Sequence, residues 1–523
     1  MNPPRLIYYN DAHHFHAKRI EPPASIHMLQ WPVDEVVGTG VDLLVLGLGY
    51  GDVYFHNSKM GRVVGQRKEM WENYIDWRIM RMVEVGRELG TDQLREVIGR
   101  GRELGIPVFP SLKLQSNNER YSERCGLLKW EKGAEVCIGE GGRAQWSYDF
   151  AREDVRQDKL AVLREVLEDY GADGIELDFM FGDVYFKAAE VERNTPLMSE
   201  FLAEIRQLAQ QIGEDQGRTV PILARIPLER EECLRIGLDV ETWLTQGSID
   251  WVVGQDPHAV TDSQPRPDWL PQTARASGGA AYYRPPRRVY DERVDALHIE
   301  MYRALGTTLR RQGWVGLYDG YLPWPFGERE YQILREMGHP EVYARHDKRY
   351  LLQPREGAEG EPTITPQRQL PIAFAAGRTE RVSIWVADDL EGARKDGEMR
   401  NPVLTLRFTF FCIEDDIEFR FNGRELPWDQ AEISDERAMN IQVSLRPGMS
   451  VQAPLGASMH WFRYKLEVDD LREGENVLEI EVKRLESRDA FTRSLNGVDI
   501  QTRYRDFKRP EGLELERIAP PGG

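Results

Sequence analysis

The segment Gly174-Ile175-Glu176-Leu177-Asp178-Phe179-Met180 combines a strand-length apolar run with two carboxylates at alternate positions. It follows a helical pattern from Asp154 to Tyr170, in which Val155, Val162, Leu163, Val166 and Leu167 form one apolar stripe and Gly171 supplies the stop. A helix feeding a buried strand is the repeating element of a parallel sheet, and the same alternation recurs outward in both directions. Strand-length runs lie at Leu6 to Tyr9, Asp42 to Leu48, Pro107 to Leu112, Pro221 to Ile226, Trp251 to Gly254, Ala280 to Tyr283 and Trp314 to Tyr318. With Gly174 to Met180 they give eight βα units in about 340 residues, which predicts an α/β fold of the (β/α)8 TIM-barrel type over residues 1–352. A doubly wound open sheet is the alternative, but no GxGxxG or GxxxxGK[ST] follows any of these strands.

Beyond the barrel the pattern changes. Residues 353–369 are rich in Pro, Gly and Glu without periodicity and read as a linker. Arg381 to Ala387, Val403 to Cys412, Asp416 to Phe421, Trp461 to Val468 and Asn476 to Val482 then alternate apolar and polar residues between Asn-Gly, Asp-Gly and Pro-Gly turns. This predicts an antiparallel β-sandwich domain over 370–510, with 511–523 as a flexible tail. The pentapeptide Gly-Asp-Val-Tyr-Phe occurs at 51–55 and again at 182–186, and without wider self-similarity it reads as coincidence.

Charge bounds the partners. Lys and Arg number 68 against 87 Asp and Glu, a net charge of -19, and such a field repels phosphate backbones and anionic lipid, so neither nucleic acid nor a membrane surface is expected. The four cysteines, Cys125, Cys137, Cys233 and Cys412, show no CxxC spacing, which argues against a disulfide framework and a structural zinc site. No apolar run approaches the ~18 residues of a membrane span, and no leader pattern precedes Arg5 to Asn10, so the sequence as given reads as cytoplasmic, with secretion open if a leader has been removed. A homo-oligomer is compatible with these features.

In barrel enzymes the chemistry sits at the carboxyl ends of the strands. By the period-two rule Ile175, Leu177 and Phe179 face the helices, whereas Glu176 and Asp178 face the barrel axis. Inward carboxylates need partners, because burying one unpaired costs several kcal/mol. Lys113 on the third strand and Arg225 on the fifth flank them by the same parity. Such cations favour an ionised Asp178, as a nucleophile or an oxocarbenium-stabilising group requires, while Glu176 either joins the catalysis or balances Arg225. Glycosidic hydrolysis needs a second carboxyl group carrying a proton. Asp256 after the sixth strand leads for that role, with Asp319 after the eighth and Glu229 and Glu231 after the fifth as competitors. Asn10, Asp11, His258 and Arg284 complete the polar strand ends. Trp146, Tyr283, Tyr318, Tyr321 and Trp324 are candidates for stacking on sugar rings, and about half of them are expected to serve loop packing instead.

Asp11-Ala12-His13-His14-Phe15-His16 places a His-X-His after the first strand, as in a metal-dependent amidohydrolase. The other ligands of that pattern are missing, since Arg225-Ile226-Pro227 ends the fifth strand and Lys113 lies on the third. No metal or other cofactor is therefore expected, and hydrogen bonding to substrate by His13 or His14 is the preferred reading. The segments 49–75 and 114–150 are too long for plain connections and are expected to wall the mouth, narrowing it toward a chain end.

The run Tyr170-Gly171-Ala172-Asp173-Gly174-Ile175-Glu176-Leu177-Asp178-Phe179-Met180, with Leu223-Ala224-Arg225-Ile226-Pro227, Ile236-Gly237-Leu238-Asp239-Val240-Glu241-Thr242-Trp243 and Gly40-Val41-Asp42, resembles a family of bacterial glycoside-hydrolase-like (β/α)8 barrel proteins. The C-terminal region is similar to the β-sandwich appended to such barrels, notably at Asp415 to Gly423 and Leu471 to Asn476. This sequence departs from the family at Phe181, where arginine often follows the methionine, and at Lys113-Leu114-Gln115. The resemblance implies polysaccharide or oligosaccharide chemistry with roles for Asp178 and Arg225, and it leaves the proton donor open. The sequence thus leads to a glycoside hydrolase with Asp178, Asp256 and Glu176 as catalytic candidates, and with Asp11, His13, Lys113, Arg225, Trp146, Tyr318, Asp319 and Trp324 contacting a carbohydrate. A retaining mechanism is slightly preferred. A non-catalytic carbohydrate-binding barrel is the main alternative, and a metal-dependent amidohydrolase the lesser one.

Overall fold

Eight short parallel strands form the centre of the molecule: β1 (Leu6–Asn10), β2 (Leu43–Gly47), β3 (Val108–Lys113), β4 (Ile175–Asp178), β5 (Ile222–Pro227), β6 (Trp251–Gln255), β7 (Ala280–Tyr283) and β8 (Gly316–Gly320). The computed structural model describes residues 1–67, 70–71, 73–256, 262–286, 298–354, 369–437, 458–486 and 492–505. Each strand pairs with the next in chain order, and β8 closes on β1 with Ile7 opposite Tyr318 and Tyr9 opposite Gly320. All eight expected strands are present, with ends displaced by at most a few residues, the usual uncertainty of a strand boundary. Among the described residues no helix is long and apolar enough to cross a membrane.

Parity sorts the side chains as the alternation dictates. Ile7, Tyr9, Leu43, Val45, Phe109, Leu223, Trp251, Val253, Ala280, Tyr282 and Tyr318 pack inside the barrel. Ile175, Leu177, Leu44, Leu46 and Val252 belong to a separate cluster between the barrel and its helices. Phe109 and Trp251 stack inside at 5.7 Å. Gly174 makes room for that layer, since a Cβ there would lie 2.3 Å from the Phe109 ring. The helix before β4 runs Glu153–Glu168, and Gly171 follows at φ 67, a left-handed conformation suited to glycine.

The long segments after β2 and β3 are folded into one another. Gly49–Tyr50, Val53–Tyr54 and Arg62–Val63 form a small sheet. Buried Arg62 donates to the carbonyls of Ser122 at 3.1 Å and Cys125 at 2.7 Å and lies over Trp130. Asp52, also buried, accepts the Tyr148 hydroxyl proton, and its carboxyl is held below the usual range because Lys129 and Lys159 outweigh the burial that would raise it. The repeated pentapeptide occupies equivalent places: Gly51 and Gly182 each stand four residues beyond the last residue of β2 and β4, and Tyr54, Phe55, Tyr185 and Phe186 are all buried.

Two antiparallel sheets follow. One orders the strands Lys348–Leu352, Ser494–Tyr504, Met399–Thr409, Ser458–Lys465 and Glu432–Arg437, and the other orders Arg378–Val386, Gly474–Arg484, Asp416–Phe421 and Arg424–Glu425. Both contribute to a single apolar cluster, with Val382, Ile384, Phe419 and Ile480 from one and Leu404, Phe408, Phe462 and Ile500 from the other. Lys348–Leu352, counted with the barrel on sequence, pairs with Ser494–Tyr504. No linker-like composition precedes it, so local pattern does not separate it from the barrel. Most of the expected linker and the whole 511–523 tail lie outside the described residues.

Candidate active site

Glu176 and Asp178 occupy the two inward positions of β4, and both are buried. Register sets Lys113 of β3 beside Asp178 on one side and Arg225 of β5 beside it on the other. The Arg225 guanidinium serves both acids, donating from Nε to Glu176 Oε1 at 3.1 Å and from a terminal nitrogen to Asp178 Oδ2 at 2.5 Å. Its other terminal nitrogen donates to Gln255 Oε1 at 3.1 Å, and Arg284 donates to that same oxygen at 2.7 Å. The rings of Tyr9 and Tyr318 lie 5.0 and 5.5 Å from the guanidinium carbon. Asp178 Oδ1 accepts the Met180 N–H at 2.8 Å, so both carboxylate oxygens are oriented.

The two acids differ in their surroundings. Burial raises the Glu176 carboxyl above its usual range, and the nearby Asp178 charge adds to the rise that Arg225 opposes. Burial disfavours the Arg225 cation, but Asp178, Tyr318 and Glu176 together hold it protonated. Burial also lowers the Lys113 ammonium against the pull of Asp178 and Asp11. The Lys113 ammonium donates to the Gly49 carbonyl at 3.0 Å and stands 4.4 Å from the centre of the Phe181 ring, which is 39% exposed.

The turn after β1 supplies a second polar group. Ala12 adopts φ 57, a left-handed conformation that costs a non-glycine residue about 1–3 kcal/mol. Its N–H donates to Asn10 Oδ1 at 2.9 Å, and the His14 ring meets Asp11 Oδ2 at 2.5 Å. Burial would raise the Asp11 carboxyl, but hydrogen bonds and charge from His14 bring it below its usual range. His13 packs edge-on against Tyr50 and His14, and burial lowers its imidazole to about 4.

The remaining expected residues are dispersed. Asp256 directly follows β6 and is half-buried, while His258 lies outside the described residues. Asp319 takes the outward parity of β8, opposite Tyr8, so it shares the face of Leu317 and not that of Tyr318. Tyr318 is fully buried and donates its hydroxyl proton to Glu176 Oε1 at 2.7 Å, which makes it part of the barrel interior and not a surface for a sugar ring. Tyr283 packs outward against Trp314. Trp146 lies half-buried in a short turn of helix against the barrel's outer core. Trp324 is 47% exposed beneath the Arg19 guanidinium. His14 and His16 do not converge, because His16 is buried, packs on Phe55 and bonds the Ala12 carbonyl through Nδ1 at 2.9 Å. That removes the His-X-His pair of the amidohydrolase reading.

Two groups were missed on sequence. Gln255, the bridge between Arg225 and Arg284, has the inward parity of Trp251 and Val253, and extending β6 by one residue finds it. Arg124 lies over the Tyr50 ring and pairs with Asp76 at 3.5 Å, and nothing periodic in the segment 114–150 singles it out.

No family model matches the chain, and no curated protein matches it. Similar solved structures include a cycloisomaltooligosaccharide glucanotransferase from Paenibacillus sp. complexed with cycloisomaltoheptaose, at 10% identity and a TM-score of 0.35 over 95% of this chain and 57% of that one. A noncanonic maltogenic alpha-amylase from Thermotoga neapolitana matches at 12% identity and a TM-score of 0.40 over 91% and 98% of the two chains. The glycoside hydrolase domain of PelA from Pseudomonas aeruginosa matches at 16% identity and a TM-score of 0.34 over 61% and 95%. The chain therefore spans little more than half of the glucanotransferase's length. At these identities neither substrate nor catalytic residues carry over.

Proposed function

We propose that the protein is a glycoside hydrolase acting on an oligo- or polysaccharide at the carboxyl end of the barrel. The observation that carries this reading is Asp178, which ends the inward row of β4 with one oxygen held by Arg225 and the other by the Met180 N–H. A carboxylate fixed in this way can attack an anomeric carbon or stabilise an oxocarbenium ion without reorganising. Asp256, one residue beyond the inward Gln255, is the leading general acid, and a raised Glu176 backs the site as a second proton-holding group. Asp178 is 1% exposed, so a substrate reaches it only when a neighbouring side chain moves. Phe181, exposed and held to Lys113 by a cation–π contact, is placed for that movement. His13, Asp11 and Tyr321 would then meet sugar hydroxyls and ring faces. We read the two antiparallel sheets as an accessory β-sandwich domain packed on the barrel.

The burial of both β4 carboxylates against Arg225 also favours a second reading, a carbohydrate-binding barrel without turnover. Aryl glycosides and oligosaccharides offered to the wild type, Asp178→Asn and Asp256→Asn separate the two. Turnover with two titrating limbs, lowered at least about 10³-fold in Asp178→Asn and losing one limb in Asp256→Asn, supports the hydrolase. Full activity in Asp178→Asn overturns it, and saturable glycan binding without hydrolysis identifies the binder.

A further inference from the structure

Asp11, His13 and His14 lie on the turn that leaves β1, and one donor atom from each falls within 4.8 Å of the other two. We propose that these three side chains bind one divalent first-row transition-metal ion at the barrel mouth. The inference stands apart from the glycosidase reading, because its readout is metal binding and not hydrolysis.

Two borderline imidazoles beside one hard carboxylate suit zinc-like ions better than magnesium or calcium, which prefer all-oxygen sites. The turn already gathers them: Ala12 sits at φ 57 with its N–H on Asn10 Oδ1, and the His14 N–H donates to Asp11 Oδ1 at 3.1 Å. His14 and Asp11 touch at 2.5 Å, a contact in which an ion takes the place of the shared proton. His13 Nε2 is buried without a hydrogen-bond partner, an arrangement that costs free energy unless something occupies the site. Donors about 2.0–2.2 Å from a tetrahedral ion lie roughly 3.3 Å from one another, so the ring of His14, exposed to solvent, supplies the small rotation needed. The two cations nearest the group are engaged elsewhere, Lys113 on the Gly49 carbonyl and Arg124 with Asp76. Three protein ligands leave at least one coordination position open to water or a substrate oxygen.

The test uses the full chain, untagged and stripped with a chelator, titrated with Zn²⁺ by calorimetry and with Co²⁺ by visible absorption. The expected result is saturation at one ion per chain. His13→Ala and Asp11→Asn weaken binding by more than about 100-fold, beyond the range usual for outer-shell changes. His27→Ala, an exposed histidine on the helix Ile26–Asp34, leaves binding unchanged. If either of these variants misfolds by circular dichroism, His14→Gln at the exposed ligand provides the same comparison. No saturable binding up to millimolar ion, or wild-type affinity in a folded His13, Asp11 or His14 variant, overturns the proposal.

Discussion

Tyr318 donates its hydroxyl proton to Glu176 Oε1 at 2.7 Å, joining β8 to β4 through the barrel interior. That oxygen also receives Arg225 Nε, so the tyrosine completes the solvation of a buried acid. Tyr318→Phe leaves the shape intact but removes one donor. The expected loss is about 1–3 kcal/mol of unfolding free energy, read from the urea midpoint at unchanged slope.

Arg225 is the shared counter-ion of both β4 acids: among the described residues their ion pairs are all with it. Arg225→Met should cost about 3–5 kcal/mol, because two buried carboxyl groups lose their cation together. Combining it with Glu176→Gln and Asp178→Asn should restore part of that loss, and chemical denaturation of the single and triple variants measures the recovery.

The pH dependence carries two opposite signs. Burial raises folded Glu176 above its ordinary value of 4.5, so the folded state holds this proton more tightly than the unfolded chain. Its contribution to stability is full below about 4.5 and is lost as pH rises through the folded value. Asp11 is lowered below 3.8, so its contribution is present above that value and lost as pH falls through the folded one. Glu176→Gln should therefore gain stability relative to wild type as pH rises from 4 upward. Asp11→Asn should lose its disadvantage as pH falls below 4. Urea unfolding across pH 3 to 8 displays both trends.

Lys113 and Phe181 stand beside Asp178, and their cation–π contact is worth about 0.5–2 kcal/mol. Under the glycosidase reading, Phe181→Ala frees the Lys113 ammonium and removes an apolar face from the mouth. The expected effect is a several-fold change in KM with kcat held within about threefold and a melting temperature lowered by no more than a few degrees. Steady-state kinetics with Phe181→Tyr as the conservative partner checks it.

Lys348 and Asp388 form a fully buried ion pair at 2.8 Å, with the ammonium also bonded to the carbonyls of Ala344 and His346. Lys348→Met leaves Asp388 hydrogen-bonded to the Thr502 hydroxyl but without its cation, and should cost about 3–5 kcal/mol. Asp388→Leu added to Lys348→Met should recover a large part, and differential scanning calorimetry shows whether the β-sheet region then melts with the barrel or before it.

Much of this architecture was legible because buried strands and helices leave periodic traces. Parity alone placed Glu176, Asp178 and Arg225 on the axis, since alternate residues of a strand cannot share a face. The same rule, applied to β8, puts Tyr318 and Asp319 on opposite faces. What sequence left hidden depends on contacts between distant segments. The interlocking of Arg62 with Ser122 and Cys125, and the seating of Arg124 over Tyr50, have no local signature. The aromatic candidates show another gap: Tyr318 and Trp324 are of one chemical class, yet one is wholly enclosed and the other 47% exposed. Composition does not distinguish those environments.

The pairing of Lys348–Leu352 with Ser494–Tyr504 bears on how the chain is made. A ribosome delivers the first of these strands some 140 residues ahead of the second, at about 5–20 residues per second, so its edge waits roughly 7 to 28 seconds for its mate. During that interval a nascent barrel already complete through β8 trails an open strand, the moment at which a chaperone would have most to shield.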